Sequence, residues 1–312
     1  MDPAQFGIST LELQHAPYGV ITPEALGSKN AGKVAVITGA GRGIGQAISE
    51  ALARSGANLA ILDINQDNLI GTKKRCLSLG VKVEAFACDV TDAARIQEVL
   101  AQVVRQLGHI DILVNNAGIF QQRPFLMSTF DSFWREIEVN FKAPLMLIHV
   151  VLPHMRDRKS GCIINIASRS GTVDVPMTLG YVSSKAALIR ATHTLQTEME
   201  LDGLDPAISL YAIHPGGVKG VIGGTGAPED VKAKYGDVTD EDYFQHLFKD
   251  SPDLCGQTCA WLASGEGKEL RGLFLDCRQD VSKLLDIGRP TLLKETRNTL
   301  TVNFVEGYCN EP

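Results

Sequence analysis

Short apolar runs alternate with amphipathic stretches from Lys33 onward, and this alternation limits the possible folds of the 312-residue chain more than any other feature. Runs of strand character that alternate with helices predict parallel pairing with right-handed crossovers. Because the runs are almost continuously apolar, helices should cover both faces of the sheet. We therefore predict an α/β fold with a doubly wound parallel sheet of about seven strands. The runs are "KVAVIT" at 33–38, "NLAILDI" at 58–64, "VKVEAFACDV" at 81–90, "IDILVNNAG" at 110–118, "GCIINIAS" at 161–168, "AISLYAIHPG" at 207–216 and "LRGLFLDC" at 270–277.

The alternation fills residues 33–280, and no change of composition within it marks a second domain. Residues 1–32 are rich in proline and glycine and are predicted to form an N-terminal extension that packs on the surface or reaches a partner subunit. Residues 281–312 are predicted to be a C-terminal tail. Residues 217–250 break the alternation directly after a strand, where ligands of open α/β sheets bind, and are predicted to be a lid.

Composition narrows the function classes. A net charge of -6 does not fit the basic surface of a nucleic-acid-binding protein. The longest apolar stretch, 143–155, is too short to span a bilayer. The seven cysteines contain no CxxC pair, so neither a metal site nor a disulfide framework is indicated. The N-terminus has no Lys or Arg before Lys29 and does not read as a signal peptide, so we expect a soluble cytoplasmic protein.

A glycine-rich turn, "ITGAGRGIG", joins the first predicted strand to the first helix. Its glycines let the backbone approach a pyrophosphate, which the free N–H groups of the helix N-terminus then bind. Asp63 ends the second strand, where an acidic residue accepts hydrogen bonds from the ribose hydroxyls and repels a 2′-phosphate. The pattern predicts a dinucleotide site that prefers NAD(H), while Arg42, a possible 2′-phosphate ligand, leaves NADP(H) open.

Tyr181 and Lys185 are four residues apart in a predicted helix, so their side chains lie on one face. Hydride transfer from an alcohol to nicotinamide leaves a proton to be removed, and a phenol with a pKa near 10 needs a nearby ammonium to become a useful base. Lys185 is expected to lower that pKa and to reach the nicotinamide ribose. Ser168, at the end of the fifth strand, is expected to bind the substrate oxygen. A Tyr/Lys pair alone would more often be a surface pair.

Together these motifs resemble the short-chain dehydrogenase/reductase family, in its single-domain, Rossmann-like form, over residues 33–280. The matching motifs are "TGAGRGIG" at 38–45, "CDV" at 88–90, "NNAG" at 115–118, "VNF" at 139–141, Ser168, Tyr181, Lys185 and "HPG" at 214–216. The resemblance implies that Asp89 contacts the adenine ring and that Asn140 binds a water that passes the proton on through Lys185. The implied catalytic set is Asn140, Ser168, Tyr181 and Lys185. The implied coenzyme-binding set is Thr38, Gly39, Gly41, Arg42, Gly43, Ile44, Gly45, Asp63, Asp89, Val90, Asn116, Ala117, Gly118, Tyr181, Lys185, Pro215, Gly216 and Val218.

The chain departs from the family pattern at Gly220, where the family usually has a threonine that holds the nicotinamide carboxamide. The carboxamide would then depend on backbone groups, notably of Val218, or on a hydroxyl such as that of Thr225. The segment 267–281 and the long N-terminal extension also resemble family members from fungal secondary metabolism.

The substrate pocket is expected between the residues after Gly118, those after Ser168 and the lid. Apolar side chains there favour a lipophilic, cyclic alcohol or ketone as substrate, namely Phe120, Val173, Pro176, Met177, Tyr235, Tyr243 and Phe244. Arg123 and Arg169 are candidates for binding a polar group. The resemblance implies a homodimer or homotetramer built on helices 128–157 and 181–200. Two alternatives remain: isomerisation, dehydration or cyclisation on the same scaffold, and a coenzyme-binding sensor, against which the intact Ser, Tyr and Lys set argues.

Overall fold

A computed structural model of the chain describes residues 11–220, 227–236 and 248–301. Seven parallel strands form one sheet in the order β3-β2-β1-β4-β5-β6-β7, which confirms the predicted fold class. Every strand lies within one of the apolar runs. The strands are β1 (Val34–Thr38), β2 (Asn58–Asp63), β3 (Val83–Ala87), β4 (Ile112–Asn115), β5 (Gly161–Ile166), β6 (Ile208–His214) and β7 (Phe274–Asp276).

Helices cover both faces of the sheet, and the strand side chains alternate between two apolar cores. In β1, Ala35 and Ile37 belong to one core, whereas Val34 and Val36 belong to the other. The first core also contains residues of α2, α3 and α9, and the second contains residues of α4, α6 and α7. The described helices are α1 (Pro23–Leu26), α2 (Gly43–Arg54), α3 (Gln66–Leu77), α4 (Ala93–Leu107), α5 (Phe130–Ile137), α6 (Ala143–Arg158), α7 (Leu179–Leu201), α8 (Glu229–Tyr235), α9 (Pro252–Ser264), α10 (Val281–Ile287) and α11 (Arg289–Lys294).

The run at 270–277 gives only a three-residue strand. Residues Lys268–Leu270 form a 3-10 turn, so β7 begins at Phe274. Six cysteines of the described ranges are buried and form no disulfide. Among the described residues, no helix combines the length and the apolar character needed to cross a bilayer.

Residues ahead of β1 pack against the same chain. The side chains of Ile21 and Leu26 are buried in the first core. Asn30 is fully buried, and its Nδ2 donates to Ser55 Oγ at 2.9 Å and to the Ala260 carbonyl at 2.8 Å. Further upstream, Leu13 forms an isolated antiparallel bridge with Gln279, just after β7.

The strand order reverses between β1 and β4, because the chain goes from β1 to β2 and β3 on one side and from β4 to β7 on the other. In open α/β sheets this switch point opens a crevice at the carboxyl ends of the strands. A cleft of about 950 Å³ occupies that position here, and the loops that follow the strands supply its wall.

Candidate active site

Nearly all residues that the motifs predicted for a dinucleotide site line the cleft. From that set, all residues except Thr38 and Gly41 belong to the described cleft wall. Asp63, Asp89 and Val90 stand at the β2 and β3 end, and Pro215, Gly216 and Val218 follow β6. The cleft thus runs along the strand ends of most of the sheet.

The glycine turn after β1 is built so that no side chain obstructs it. Gly39 and Gly43 have φ angles of 62° and 56°, in the region that favours glycine. A Cβ atom on Gly45 would lie 2.1 Å from the Gly39 carbonyl oxygen. The helix α2 starts at Gly43, so its free N–H groups and the positive end of its dipole face the cleft beside this turn.

Asp63 faces the cleft and also holds the glycine turn. Its Oδ2 accepts a hydrogen bond from the Gly41 N–H at 3.1 Å, and its Oδ1 accepts one from the Asn65 N–H at 3.0 Å. A Cβ on Gly41 would lie 2.7 Å from the same carboxylate. Gly41 therefore supports the acidic residue from outside the described cleft wall.

Thr38 joins two strand ends. Its hydroxyl oxygen accepts hydrogen bonds from the N–H groups of Asn116 and Ala117, each at 3.0 Å. The Asn116 side chain in turn donates to the carbonyls of Thr38 and Gly39, at 2.9 and 3.1 Å. These bonds fix the loop after β4 against the glycine turn, so Thr38 shapes the cleft through its neighbours.

Asp89 is held by a partner that the sequence did not suggest. Arg135 Nη2 on α5 lies 2.7 Å from Asp89 Oδ2, and both the N–H and the hydroxyl of Thr91 donate to Asp89 Oδ1. Burial raises the pKa of Asp89, but the Thr91 and Arg135 hydrogen bonds outweigh it, so the pKa lies below its usual range. Arg135 also lines the cleft.

Ser168, Tyr181 and Lys185 meet at the centre of the cleft. Ser168 lies beyond the end of β5, and α7 carries the other two residues on one face. The Ser168 side chain lies near the Tyr181 hydroxyl and lowers its pKa. Lys185 Nζ lies 5.5 Å from the centre of the Tyr181 ring and donates to the Ile166 carbonyl at 2.7 Å. The Phe120 ring packs edge-on against Tyr181, with 5.1 Å between centroids.

The pKa of the phenol is shifted in the direction opposite to our expectation. Burial raises the pKa of Tyr181 to about 12, although the neighbouring Ser168 side chain opposes the shift. Burial also lowers the pKa of Lys185 to about 8. The expectation that Lys185 lowers the pKa of Tyr181 is therefore wrong for this structure, because desolvation outweighs the other effects and Lys185 Nζ is directed at the Ile166 carbonyl. The raised pKa keeps the Tyr181 hydroxyl protonated at neutral pH.

Asn140 supports the site without belonging to the described cleft wall. Its Nδ2 donates to the Ile119 carbonyl and its Oδ1 accepts from the Ile119 N–H, both at 2.8 Å. The single helix expected over 128–157 is interrupted here, since a π-helical turn, Glu138–Lys142, separates α5 from α6. Such turns often occur at functional sites. The turn directs Asn140 toward Ile119, which does line the cleft.

Glu136 is a buried acid that the sequence reading missed. Its Oε1 accepts the Gln121 N–H at 2.8 Å, and a Cβ on Gly180 would lie 2.4 Å from its Oε2. Burial raises the pKa of Glu136 to about 7, and its charge contributes to the raised pKa of Tyr181. A glycine immediately before the tyrosine was the only local sign of so close an approach.

The substrate end of the cleft only partly follows the prediction. Phe120 and Arg169 line it, together with Gln122, Val175, Thr178 and Phe248. Arg123 instead forms a two-pronged ion pair with Asp230 of α8, at 2.6 and 2.9 Å. Gly220 lines the cleft with a φ of 77°, which suits glycine better than threonine. Val173, Pro176, Met177 and Tyr235 do not belong to the described wall, and Thr225, Tyr243 and Phe244 lie outside the described residues.

Comparison with known proteins agrees with this geometry. Residues 33–230 match the family model described as short chain dehydrogenase. A short chain dehydrogenase of Pseudocercospora fijiensis is 30% identical over 286 residues, which cover 89% of this chain and 90% of that protein.

Two solved structures share the fold and contain the predicted class of coenzyme. A crystal structure of NAD+-bound xylitol dehydrogenase matches with a TM-score of 0.70 and 25% identity, covering 81% of this chain and all of that one. A metagenomic short-chain oxidoreductase in complex with NADP matches with a TM-score of 0.62 and 27% identity, covering 76% of this chain and 93% of that one. The chain therefore belongs to the short-chain dehydrogenase family of oxidoreductases, as its motifs predicted.

Proposed function

We propose that this protein interconverts a secondary alcohol and a ketone with NAD(H), and that Tyr181 is its general acid and base. One observation carries the proposal: Ser168, Tyr181 and Lys185 meet in the same cleft that contains the glycine turn and Asp63. Proton transfer and dinucleotide binding thus share one site. Neither group of residues alone would distinguish an oxidoreductase from a protein that only binds a nucleotide.

The protonated phenol of Tyr181 suits the reduction of a ketone. Tyr181 donates its proton to the carbonyl oxygen, and the Ser168 hydroxyl donates a second hydrogen bond to the same oxygen. The bound nicotinamide ring supplies the hydride, or accepts it in the reverse direction. In oxidation, the Tyr181 phenolate takes the proton of the alcohol.

The coenzyme would be held by main-chain groups and by the side chains of Asp63 and Lys185. The N–H groups at the start of α2 bind the pyrophosphate, and Asp63 accepts from the adenosine ribose. Asp63 disfavours a 2′-phosphate, so NAD(H) is the proposed coenzyme. Arg42 is exposed beside it and keeps NADP(H) as a second possibility. Lys185 binds the nicotinamide ribose.

The proposed substrate is a lipophilic, cyclic small molecule. Its support is the aromatic and apolar side chains of Phe120, Val175 and Phe248 in the wall of the cleft. A role in secondary metabolism is part of the proposal, and its support is the resemblance of the segment 267–281 and the N-terminal extension to family members from fungal secondary metabolism.

We also propose a homodimer or homotetramer. The support is an exposed aromatic strip on α5, where the Phe130 and Trp134 rings stack and are 64% and 48% exposed. Light scattering of the purified protein tests this, and a monomer at working concentration would contradict it.

A cytoplasmic location remains a proposal, supported by the six buried thiols that form no disulfide in the described ranges.

A direct test is an absorbance assay with NADH and NADPH against a panel of cyclic ketones and the corresponding alcohols. The proposal predicts turnover with at least one cyclic ketone and a lower KM for NADH than for NADPH. Coenzyme that binds but is never oxidised by any ketone, or reduced by any alcohol, would refute it.

A further inference from the structure

The segment 11–18, called here the N-terminal arm, reaches the cleft. Leu13 is part of the cleft wall. The arm's main chain is fixed on two sides: the Gln14 N–H donates to the Arg278 carbonyl at 2.7 Å, and the His15 carbonyl accepts from the Ser251 N–H at 2.8 Å. The arm thus lies between the turn after β7 and the start of α9.

Leu13 stands at the substrate end of the cleft. It bridges Gln279, which directly follows the edge strand β7, whereas Asp63 ends β2 on the other side of the sheet. Five strand spacings separate β2 from β7, about 24 Å at the usual spacing of ~4.8 Å. Leu13 therefore cannot contact the adenosine half of a dinucleotide that Asp63 holds. The same cleft wall includes Phe248 and Arg278.

A buried carboxylate ties the arm to the loop after β6. His15 Nδ1 contacts Asp250 Oδ1, and the Asp250 side chain is only 1% exposed. Asp250 Oδ2 accepts the Gly217 N–H at 2.6 Å, and the Asp250 N–H donates to the Gly217 carbonyl at 2.8 Å. Gly216 has a φ of 86°, and a Cβ there would lie 2.6 Å from Asp250 Oδ2. The arm, the carboxylate and the glycine loop therefore form one contiguous unit.

Few charged groups compensate this carboxylate. The closest guanidinium atom, Arg278 Nη1, is 4.0 Å from Asp250 Oδ2, and Arg278 also pairs with Asp276 at 2.7 Å. A buried carboxylate needs hydrogen-bond donors, and His15 is one of its two close side-chain or main-chain partners in the described structure, beside Gly217. Loss of His15 is therefore expected to move the glycine loop as well as the arm.

We propose that the N-terminal arm is a wall of the substrate pocket, in which Leu13 limits the size of the substrate. His15 is a positioning residue that holds this wall against the Gly216–Gly217 backbone through Asp250. The inference rests on the proposed function, because it names residues that select the substrate of that reaction. The N-terminal arm, which precedes every strand of the sheet, thereby gains a role in substrate selection.

The size limit is tested with two ketones of different bulk, cyclohexanone and β-tetralone, and with NADH. Leu13→Ala is expected to raise the kcat/KM ratio of β-tetralone to cyclohexanone roughly tenfold, and Leu13→Trp to lower it by a similar factor. Leu11→Ala is the matched control, since Leu11 packs against the first core and is not part of the described cleft wall. An unchanged ratio in both Leu13 variants would overturn the proposal.

The positioning role is tested with His15→Ala and His15→Asn, because the Asn amide nitrogen occupies about the place of Nδ1. His15→Ala is expected to raise the KM for β-tetralone several-fold with a smaller change in kcat, and His15→Asn to restore it. Glu12→Ala, at an exposed position of the same arm, should behave as wild type. If His15→Ala matches Glu12→Ala in KM, the positioning role is refuted.

NADH fluorescence separates this inference from the proposed function. If the wild type binds NADH but reduces neither ketone, the proposed function fails, and β-tetralone is then titrated into the NADH complex. Tighter binding of β-tetralone to Leu13→Ala than to wild type would still support the arm as a pocket wall. Equal binding would overturn it.

Discussion

Lys185 Nζ lies 5.5 Å from the centre of the Tyr181 ring and is directed at the Ile166 carbonyl, to which it donates at 2.7 Å. The four-residue spacing on α7 brings the two groups to one face, and the end of β5 fixes the ammonium. Lys185 is buried and Tyr181 is half-buried, and desolvation shifts the pKa of each group in favour of its neutral form. Tyr181 is therefore protonated at neutral pH, as the proposed role of proton donor requires.

This charge state predicts different pH profiles for the two directions. The pKa of Tyr181 is raised to about 12, so the acid form that ketone reduction needs is present throughout the neutral range. Alcohol oxidation needs the phenolate, whose population grows about tenfold per pH unit below that pKa. We expect kcat/KM for oxidation to rise from neutral pH to about pH 10, while reduction stays nearly flat around neutral pH. Oxidation that is fastest near neutral pH would contradict this.

Glu136→Gln should shift the oxidation profile to lower pH. The Glu136 carboxylate contributes to the raised pKa of Tyr181, and glutamine keeps the acceptor for the Gln121 N–H. The apparent pKa of kcat/KM for oxidation should fall. Glu198→Gln, an exposed position on α7, is the control and should leave the profile unchanged. An unshifted profile in Glu136→Gln would show that this charge does not act on the phenol.

The raised pKa of Glu136 predicts that the stability of the protein depends on pH. The pKa of Glu136 is raised from 4.5 in the reference state to about 7 in the fold. Its contribution to the free energy of unfolding is therefore fully present below a pH of 4.5 and is lost as the pH rises through about 7. The wild type should lose more thermal stability than Glu136→Gln between about pH 5 and pH 8. Parallel Tm curves for the two proteins would refute this.

Asp63→Asn should weaken the preference for NADH. The variant keeps a carbonyl acceptor for the Gly41 N–H but loses the charge that is proposed to bind the ribose and repel a 2′-phosphate. A hydrogen bond to a charged group contributes about 1.5–3 kcal/mol, so Kd for NADH should rise by roughly tenfold or more, with no such loss for NADPH. Asp67→Asn, exposed on α3, should change neither Kd. If the affinities for NADH and NADPH fell equally, Asp63 would act only by stabilising the glycine turn.

Gly45→Ala should abolish tight coenzyme binding. The new Cβ would lie 2.1 Å from the Gly39 carbonyl and 2.5 Å from Asn116 Nδ2, so the turn must move. Overpacking of this kind reduces the free energy of unfolding by about 1–3 kcal/mol. Gly71→Ala in α3 is the control, because its nearest neighbour is the flexible end of Arg75 at 3.5 Å. NADH titration and Tm of both variants test this, and equal behaviour would contradict it.

The parts of the molecule that follow local periodicity could be predicted from sequence. Each apolar run contains its strand, and the glycine turn stands between β1 and α2 because close backbone approach requires glycine there. Tyr181 and Lys185 could be paired from their helical spacing.

What could not be predicted depends on contacts between distant residues or on burial. His15 and Asp250 are 235 positions apart, and no local pattern links them. The π-helical turn places Asn140 in hydrogen-bond contact with Ile119, which is 21 residues away in the sequence. The direction of the Tyr181 pKa shift was missed because spacing reveals a nearby ammonium but not the desolvation that outweighs it.

The central claim, that the Tyr181 hydroxyl transfers the proton, is tested most directly by Tyr181→Phe. We expect kcat/KM for ketone reduction to fall by about 10²- to 10⁴-fold, the range for loss of a general acid, with Kd for NADH and Tm close to wild type. A Tyr181→Phe enzyme that keeps full activity would contradict the claim.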